Sequence, residues 1–522
     1  MLTLMDWFCG AGGSSQGAHA VPGVQVARAA NHWDMAIASH ALNFPAADHY
    51  KGDIRTAPVE RWPVADLFWA SPECPKWSRA RGKRRDFHNT RQGELFPIAD
   101  TTRSQEDERS RALMQEVPQY LEGVQARGGR VLAGVVENVI DCRDWDQWNA
   151  WLHRIHALGY RTRLIALNSM HARPVRTPAA PQSRDRLYLA YWHESLGRAP
   201  DFDKWLRPSA WCSVCEQTII AVQVFKKPGA DMGRYRQQYS YRCPHTTCRN
   251  TVVEPYALPA AHAIDWGLPG RRIGDRDEPL AEATMQRIRA GMTRYWAPIL
   301  TPAGGTWRTA ASPITAPMPT RTTRENDALA VPPMLIPVEG RDGKTAACAS
   351  DPMRTQTARN ETGLAFPPAA LGAFIAELRG GGSDARSIAE ALATVTASGN
   401  HHGLVTPPTT NTGDPGALLV PYYGTGAARP ATHPVGALTT RDRYALATTD
   451  DAPQVDIADV LFRMLEPHEI GKAMAFTGGY QVLGNKRQRV RQYGNAVTPP
   501  VAEVIISALV EAITGQTLEV AA

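Results

Sequence analysis

Two groups of cysteines in this sequence stand among residues that cysteine chemistry needs. Cys74 lies in Ala70-Ser71-Pro72-Glu73-Cys74-Pro75-Lys76-Trp77-Ser78, directly after an apolar run. A lone cysteine is more often an inert core residue than a nucleophile. Here Lys76 and the run Arg79, Arg81, Lys83, Arg84 and Arg85 supply cations that favour thiolate and attract phosphate. Cys212-x2-Cys215 and Cys243-x4-Cys248 are separated by 27 residues, with His245 as a spare ligand. Four thiolates at such spacing suit a tetrahedral structural zinc. Lys226, Lys227, Arg234, Arg236, Arg242 and Arg249 in that stretch offer phosphate contacts, and the bland alternative is a charged, solvated hairpin. Cys9, Cys142 and Cys348 have no evident partners and read as structural.

Other candidates follow apolar runs one after another. Asp6-Trp7-Phe8-Cys9-Gly10-Ala11-Gly12-Gly13 leads from a strand pattern into a helix pattern, where glycines let backbone approach a nucleotide or cofactor. Asn31-His32-Trp33-Asp34 and Gly52-Asp53-Ile54 end the next two strands. Trp33 offers a face for a purine and Asp53 an acceptor for an exocyclic amine, so three successive strand ends hold the parts of an adenosine site. Glu137-Asn138-Val139 places a carboxylate at the end of another apolar run. In Gln182-Ser183-Arg184-Asp185-Arg186 two arginines alternate along a strand entry and so share a face. Taken singly, each is an ordinary surface feature.

The elements that must position these residues can be read from pattern and composition. A chain of 522 residues predicts about three folded units. Hydrophobic content of 43% and charged content of 21% exclude a disordered polyelectrolyte and a membrane bundle. The sequence has neither a run of ~18 apolar residues nor a signal-peptide N-terminus, so a cytoplasmic location and no membrane partner are expected. Lys plus Arg (57) exceed Asp plus Glu (51), a net charge of +6 that permits a polyanionic partner. Eight scattered cysteines make a disulfide framework the poorer reading.

Residues 1–190 alternate apolar runs with amphipathic stretches, which predicts a Rossmann-like α/β domain on a parallel sheet. Strands are expected at 2–8, 24–30, 65–70, 131–136 and 187–191, and helices at 13–20, 35–42, 109–126 and 145–158. From about 195 the composition changes, and a second domain begins; the last long helical pattern before the C-terminal region is 280–296. Residues 310–450 carry a weak repeat: TRTTRENDALAV from Thr320, TQTARNETGLAF from Thr355, TVTASGNHHGLV from Thr394 and ALTTRDRYALAT from Ala437. Each reads as strand, polar turn, strand, and with LIPVEG from Leu335 and LVPYYG from Leu419 the unit is a hairpin pair of ~30–40 residues. Helices return at 467–476 and 500–514, with a Gly- and Arg-containing loop between them.

In this order the landmarks resemble the cytosine-C5 DNA methyltransferase family. The matching segments are DWFCGAGG from Asp6, NHWD from Asn31, GDI from Gly52, SPECPKWS from Ser71, ENV from Glu137, QSRDR from Gln182, RMLEPHEIGKAMAF from Arg463 and GNAVTPPVAEVI from Gly494. The resemblance implies a catalytic S-adenosylmethionine-binding domain at 1–195, a β-rich target-recognition domain at 196–457 and a C-terminal segment, 458–522, packing back on the first. The recognition domain then contains a zinc-ribbon-like insertion at 208–255 and the hairpin repeats at 310–450. It implies that Phe8, Gly10, Gly12, His32, Trp33, Asp53 and Asn495 form the cofactor pocket, His32 standing where the family has an acidic residue. Cys74 would add to C6 of a flipped-out cytosine in double-stranded DNA, Glu137 would hydrogen-bond the N3/N4 edge and Arg184 would hold O2, with Arg186 and Asn138 in support. The Trp77–Arg85 stretch resembles the family's mobile loop. Glu73 and Pro75 depart from the usual Pro and Gln flanking the nucleophile.

The expected protein is a monomeric DNA (cytosine-5-)-methyltransferase of a bacterial or phage-infected cell, with any restriction endonuclease on a separate chain. The alternatives are a relative acting on RNA or transferring another group to C5, and a catalytically silent DNA-binding protein.

Overall fold

The structure, a computed structural model, describes residues 1–72, 101–263, 271–280 and 457–521, scattered positions between 265 and 288, and the backbone of strands between 299 and 448. In chain order the first elements are β1 (Leu2–Trp7), α1 (Gly13–Ala20), β2 (Val24–Asn31), α2 (Asp34–Asn43), β3 (Asp48–Lys51) and β4 (Leu67–Ala70). They continue with α3 (Thr101–Ala126), β5 (Ala133–Asn138), α4 (Trp148–Ala157), β6 (Tyr160–Asn168), β7 (Gln182–Ser183) and β8 (Asp185–His193). Seven of these strands form one sheet in the order β3-β2-β1-β4-β5-β8-β6. The first five run parallel, and β8 lies antiparallel between β5 and β6. The order reverses between β1 and β4, and in such sheets ligands bind outside the carboxyl ends at that reversal.

Alternation along the strands splits the core into two layers. Leu4, Leu67 and Trp69 face one layer, and Met5, Trp7 and Phe68 face the other. The second layer is closed by Met114, Val117, Tyr120 and Leu121 of α3 and by Trp148 and Trp151 of α4. The first is closed from the far end of the chain, by Val501, Ile505 and Leu509 of a helix spanning Pro499–Thr514. Gly13 and Gly17 admit that helix against α1: a Cβ on Gly17 would lie 2.1 Å from the Pro499 carbonyl oxygen. The C-terminal segment therefore completes the core that begins at residue 2.

The first expected helix matches α1, and the next three fall within a few residues of α2, the C-terminal half of α3, and α4. Among the elements that depart from expectation, two bear on the site. β6 was not foreseen, because Arg161 and Arg163 break its N-terminal half. The stretch expected as a loop between the C-terminal helices α6 (Pro467–Ala473) and α8 (Pro499–Thr514) contains a further helix, α7 (Lys486–Asn495). Its start is fixed by a capping box in which Asn485 and Gln488 satisfy each other's backbone N–H.

After α5 (Phe202–Leu206) come β9 (Ser209–Cys212) and β10 (Gln217–Ile220), an antiparallel hairpin, and a three-stranded sheet of β11 (Val222–Phe225), β12 (Tyr239–Arg242) and β13 (Val252–Val253). Within the repeat region, strands Thr357–Arg359 and Thr362–Ala365 fall in the second segment, and Val395–Gly399 and His402–Thr406 in the third. Thr357–Arg359 and Val395–Gly399 pair in parallel with one another. The apolar stretches at Leu335 and Leu419 fall in strands Met334–Glu339 and Ala417–Pro421.

Candidate active site

The carboxyl ends of β1, β2 and β3 lie side by side and carry the residues expected at the adenosine site. After β1 the backbone turns through left-handed conformations at Phe8, Gly10 and Gly12 (φ 60°, 53° and 89°). The two glycines serve different ends. A Cβ on Gly10 would meet only the Phe8 carbonyl oxygen, at 4.0 Å, so the backbone there is open to a ligand. A Cβ on Gly12 would lie 2.3 Å from the Tyr480 hydroxyl and 2.8 Å from the His40 ring, so protein packing itself requires glycine. Tyr480 donates to the Ala11 carbonyl at 2.5 Å, and Thr477, Gln481 and Leu483 hydrogen-bond Gln16, Asn43 and Ser39. The C-terminal segment thereby covers the turn.

From below, the turn is held by Asp6, which accepts from the Ser14 and Ser15 hydroxyls at 2.6 Å each. Burial pushes the Asp6 carboxyl up to about 7 against the lowering effect of those serines. Ser15 also bonds His40, which bonds His49. Trp33 is half-buried at the end of β2, its N–H accepted by Asn31 Oδ1, with the Arg491 guanidinium 4.6 Å over its ring. His32 is exposed beside it. Asp53 caps the turn Ile54–Thr56 and forms a 2.6 Å ion pair with Arg55, so part of its accepting capacity is already engaged. Asn495, the last residue of α7, is exposed.

On the other side of the reversal, Ser71 and Pro72 follow β4. Ser71 N–H donates to the Trp7 carbonyl (3.1 Å), and Asn138 Nδ2 donates to the Pro72 carbonyl (3.4 Å). Asn138 thus holds the chain at Pro72, two residues before Cys74. Glu73, Cys74, Pro75 and the basic run through Arg85 lie outside the described residues. Glu137, at the end of β5, pairs with Arg186 of β8 (Oε1 to Nε 3.3 Å), their side chains 12% and 15% exposed. Arg184 ends elsewhere. Its guanidinium donates to the Gly494 and Ala496 carbonyls at 3.2 and 3.1 Å, and burial, then Arg186, lowers its pKa to about 9. The two arginines leave the strand two residues apart, yet Arg184 clasps the C-terminal segment while Arg186 stands beside the carboxylate.

Residues 2–205 match the family model of the C-5 cytosine-specific DNA methylases. This stretch is a C-5 cytosine-specific DNA methylase domain. The seven-stranded, mainly parallel sheet is accordingly that of a methyltransferase fold. The chain is also similar to solved structures: a triple mutant of DNMT2 from Spodoptera frugiperda (13% identity, TM-score 0.45, 98% of this chain and 100% of that one) and Dnmt2 methyltransferase of S. pombe (11%, 0.47, 98% and 99%). A third is described as a DNA modification methyltransferase encoded within a prophage of E. coli (13%, 0.39, 98% and 99%). None of the curated proteins matches.

Beside the methylase domain stands the four-cysteine cluster. The Sγ atoms of Cys212, Cys215, Cys243 and Cys248 all lie within 4.8 Å of one another, three of the residues buried and Cys215 half-buried, and none forms a disulfide. Four convergent soft donors from two turns are the donor set of a tetrahedral thiolate site. The module's loop packs on the domain through His171, whose ring meets Tyr235 and Tyr241 edge-on. Nothing in the sequence patterns pointed to these aromatic contacts.

Burial makes His40 and His171 hard to protonate, lowering both to about 3. Their folded pKa lies below the unfolded value, so the stability they contribute is complete above about pH 6.5 and is lost as pH falls toward 3. Asp6 works in the opposite direction across the same window, because its raised carboxyl favours the fold when protonated. His171→Phe isolates one term: it keeps the edge-on ring contacts and removes Nδ1, a buried nitrogen with no hydrogen-bond partner. Between pH 7.5 and 5 the variant is expected to lose about 2 kcal/mol less stability than the parent, measured by urea unfolding at the two pH values. Equal losses would contradict the assignment.

Proposed function

We propose that the chain is a DNA (cytosine-5-)-methyltransferase that uses S-adenosylmethionine to methylate C5 of a flipped-out cytosine in double-stranded DNA. The observation that carries the proposal is the Glu137–Arg186 pair, on adjacent strand ends of the methylase domain, with Asn138 beside it holding Pro72, two residues before Cys74. Bound at the β1–β3 ends, S-adenosylmethionine supplies an electrophilic methyl group. Phe8, Gly10, Gly12, Trp33, Asp53 and Asn495 are the proposed pocket, with His32 at its rim.

Cytosine C5 is a poor nucleophile until C6 is attacked. Cys74 thiolate forms a bond to C6, the C5–C6 π electrons shift toward N3, which takes a proton from Glu137, and the resulting enamine carbon C5 would accept the methyl group as its bond to the sulfonium breaks and S-adenosylhomocysteine leaves. Return of the N3 proton to Glu137 and loss of the C5 proton to a base then restore the C5–C6 double bond and expel the thiolate. Arg186 is the better candidate to hold O2, because its guanidinium lies beside Glu137 whereas that of Arg184 is engaged on two carbonyls.

Residues 196–457 are proposed to select the target sequence, braced by zinc on Cys212, Cys215, Cys243 and Cys248. The proposed setting is the cytoplasm of a bacterial or phage-infected cell, the enzyme acting as a monomer in genome protection or beside a separate endonuclease.

Trapping tests the mechanism. On duplex DNA containing 5-fluorocytosine, the parent with S-adenosylmethionine is expected to give a complex stable to denaturation, because fluorine cannot leave as a proton does. Cys74→Ala is expected to give none. Trapping on fluorinated RNA alone would replace DNA by RNA, and no adduct on either would contradict the covalent mechanism.

A further inference from the structure

The four-cysteine module is fastened to both strand ends that carry the proposed base-binding pair. The connection between β11 and β12 makes the contacts. Arg234 pairs with Asp141 at 2.5 Å, and Asp141 is 4% exposed in the turn Ile140–Asp144, four residues after Glu137. Arg143 in the same turn forms a second pair, with Asp231 (2.9 Å). The next residue of the loop reaches the other strand: Tyr235 N–H donates to Asp185 Oδ1 at 3.1 Å, and Asp185 separates Arg184 from Arg186. Gln223 adds a bond to the Ala166 carbonyl (2.8 Å) on β6. From this loop β12 runs directly to Cys243, so the thiol cluster and the two contacts belong to one short span of chain.

Resting on the reading of the site given above, we infer that Arg234 is a positioning residue for cytosine methylation. Through Arg234 on Asp141 and the Tyr235 N–H on Asp185, the four-cysteine module sets the spacing between Glu137 and Arg186. The module is then part of the catalytic frame as well as a brace for target recognition. Arg234 needs no contact with the base: it neutralises a nearly buried carboxylate at the root of the Glu137 turn, and the backbone of its neighbour ties in the arginine strand. A change of about 1 Å in that spacing is enough to cost a large factor in rate.

The test compares the full-length parent with Arg234→Met and Arg234→Lys. For Arg234→Met we expect zinc content and the KM for S-adenosylmethionine within twofold of the parent, a kcat at least tenfold lower, and faster amide exchange across residues 139–144. Arg234→Lys, which keeps the cation, is expected to recover part of the rate. An Arg234→Met enzyme with kcat within twofold and unchanged exchange would overturn the inference. So would loss of zinc along with activity, because the module itself would then have failed. A parent without transferase activity would instead refute the reading of the site, and the exchange measurement alone would decide the coupling: faster exchange supports it, unchanged exchange overturns it.

Discussion

Arg186→Ala is expected to lower methyl transfer by about 10²–10³-fold, whereas Arg184→Ala is expected to destabilise the protein by about 3 kcal/mol. The contrast follows from where the two guanidinium groups end. Arg186 is part-exposed beside Glu137, so its removal takes away the cation proposed to hold the reacting base and costs the fold one local hydrogen bond, to the Asp185 carbonyl. Arg184 is 4% exposed and serves the Gly494 and Ala496 carbonyls, which its loss leaves buried without a donor, at about 1–3 kcal/mol each. Because those carbonyls flank Asn495 and lie at the junction of α7 and α8, Arg184→Ala is also expected to weaken cofactor binding. Urea unfolding, cofactor titration and single-turnover rates separate the two variants. If Arg184→Ala left stability unchanged while abolishing turnover, the roles drawn here would be reversed.

Cys243→Ser is expected to abolish zinc binding and to unfold the module locally. The module is small: β9 to β13 bury Ala210, Cys212, Ile219, Tyr239, Tyr241 and Val253 while leaving Trp211, Val214, Ile220, Val252 and Tyr256 exposed. These side chains join one cluster with Ala166 and Met170 of the methylase domain, so the rest of the fold is expected to survive, while the turns that carry the cysteines lose a metal worth roughly 10–16 kcal/mol in zinc-finger peptides. The parent is expected to contain one zinc per chain by elemental analysis, and Cys243→Ser none, with new protease cleavage between β9 and β13. A parent purified from zinc-containing medium with no metal would sink the prediction. Retention of full zinc by Cys243→Ser would remove Cys243 from the ligand set.

What could be read from the sequence was whatever depends on near neighbours in the chain. The turn at Gly10 and Gly12 follows from a strand running into glycines, and α1 from the pattern after them. That Gly12 answers to Tyr480 and His40 was not legible, because the packing partner lies far along the chain. β6 was hidden by Arg161 and Arg163, exposed to different degrees at the sheet's edge, and α7 by a charged sequence whose buried Val490 and Tyr493 make too short a stripe to register. The alternation that put Arg184 and Arg186 on one face was readable; which carbonyl or carboxylate each would reach was not. The ties from Arg234 and Tyr235 to Asp141 and Asp185 are single polar contacts across 50 residues or more, and local pattern carries no trace of them.

An enzyme that methylates cytosine at C5 through Cys74 marks the DNA of the cell that expresses it. The most direct measurement is mass spectrometry of nucleosides from the DNA of cells expressing the parent and, separately, Cys74→Ala. 5-Methylcytosine above background is expected with the parent and none above background with the variant. Equal 5-methylcytosine in both, or none in either while both proteins are folded and expressed, would contradict methylation through Cys74.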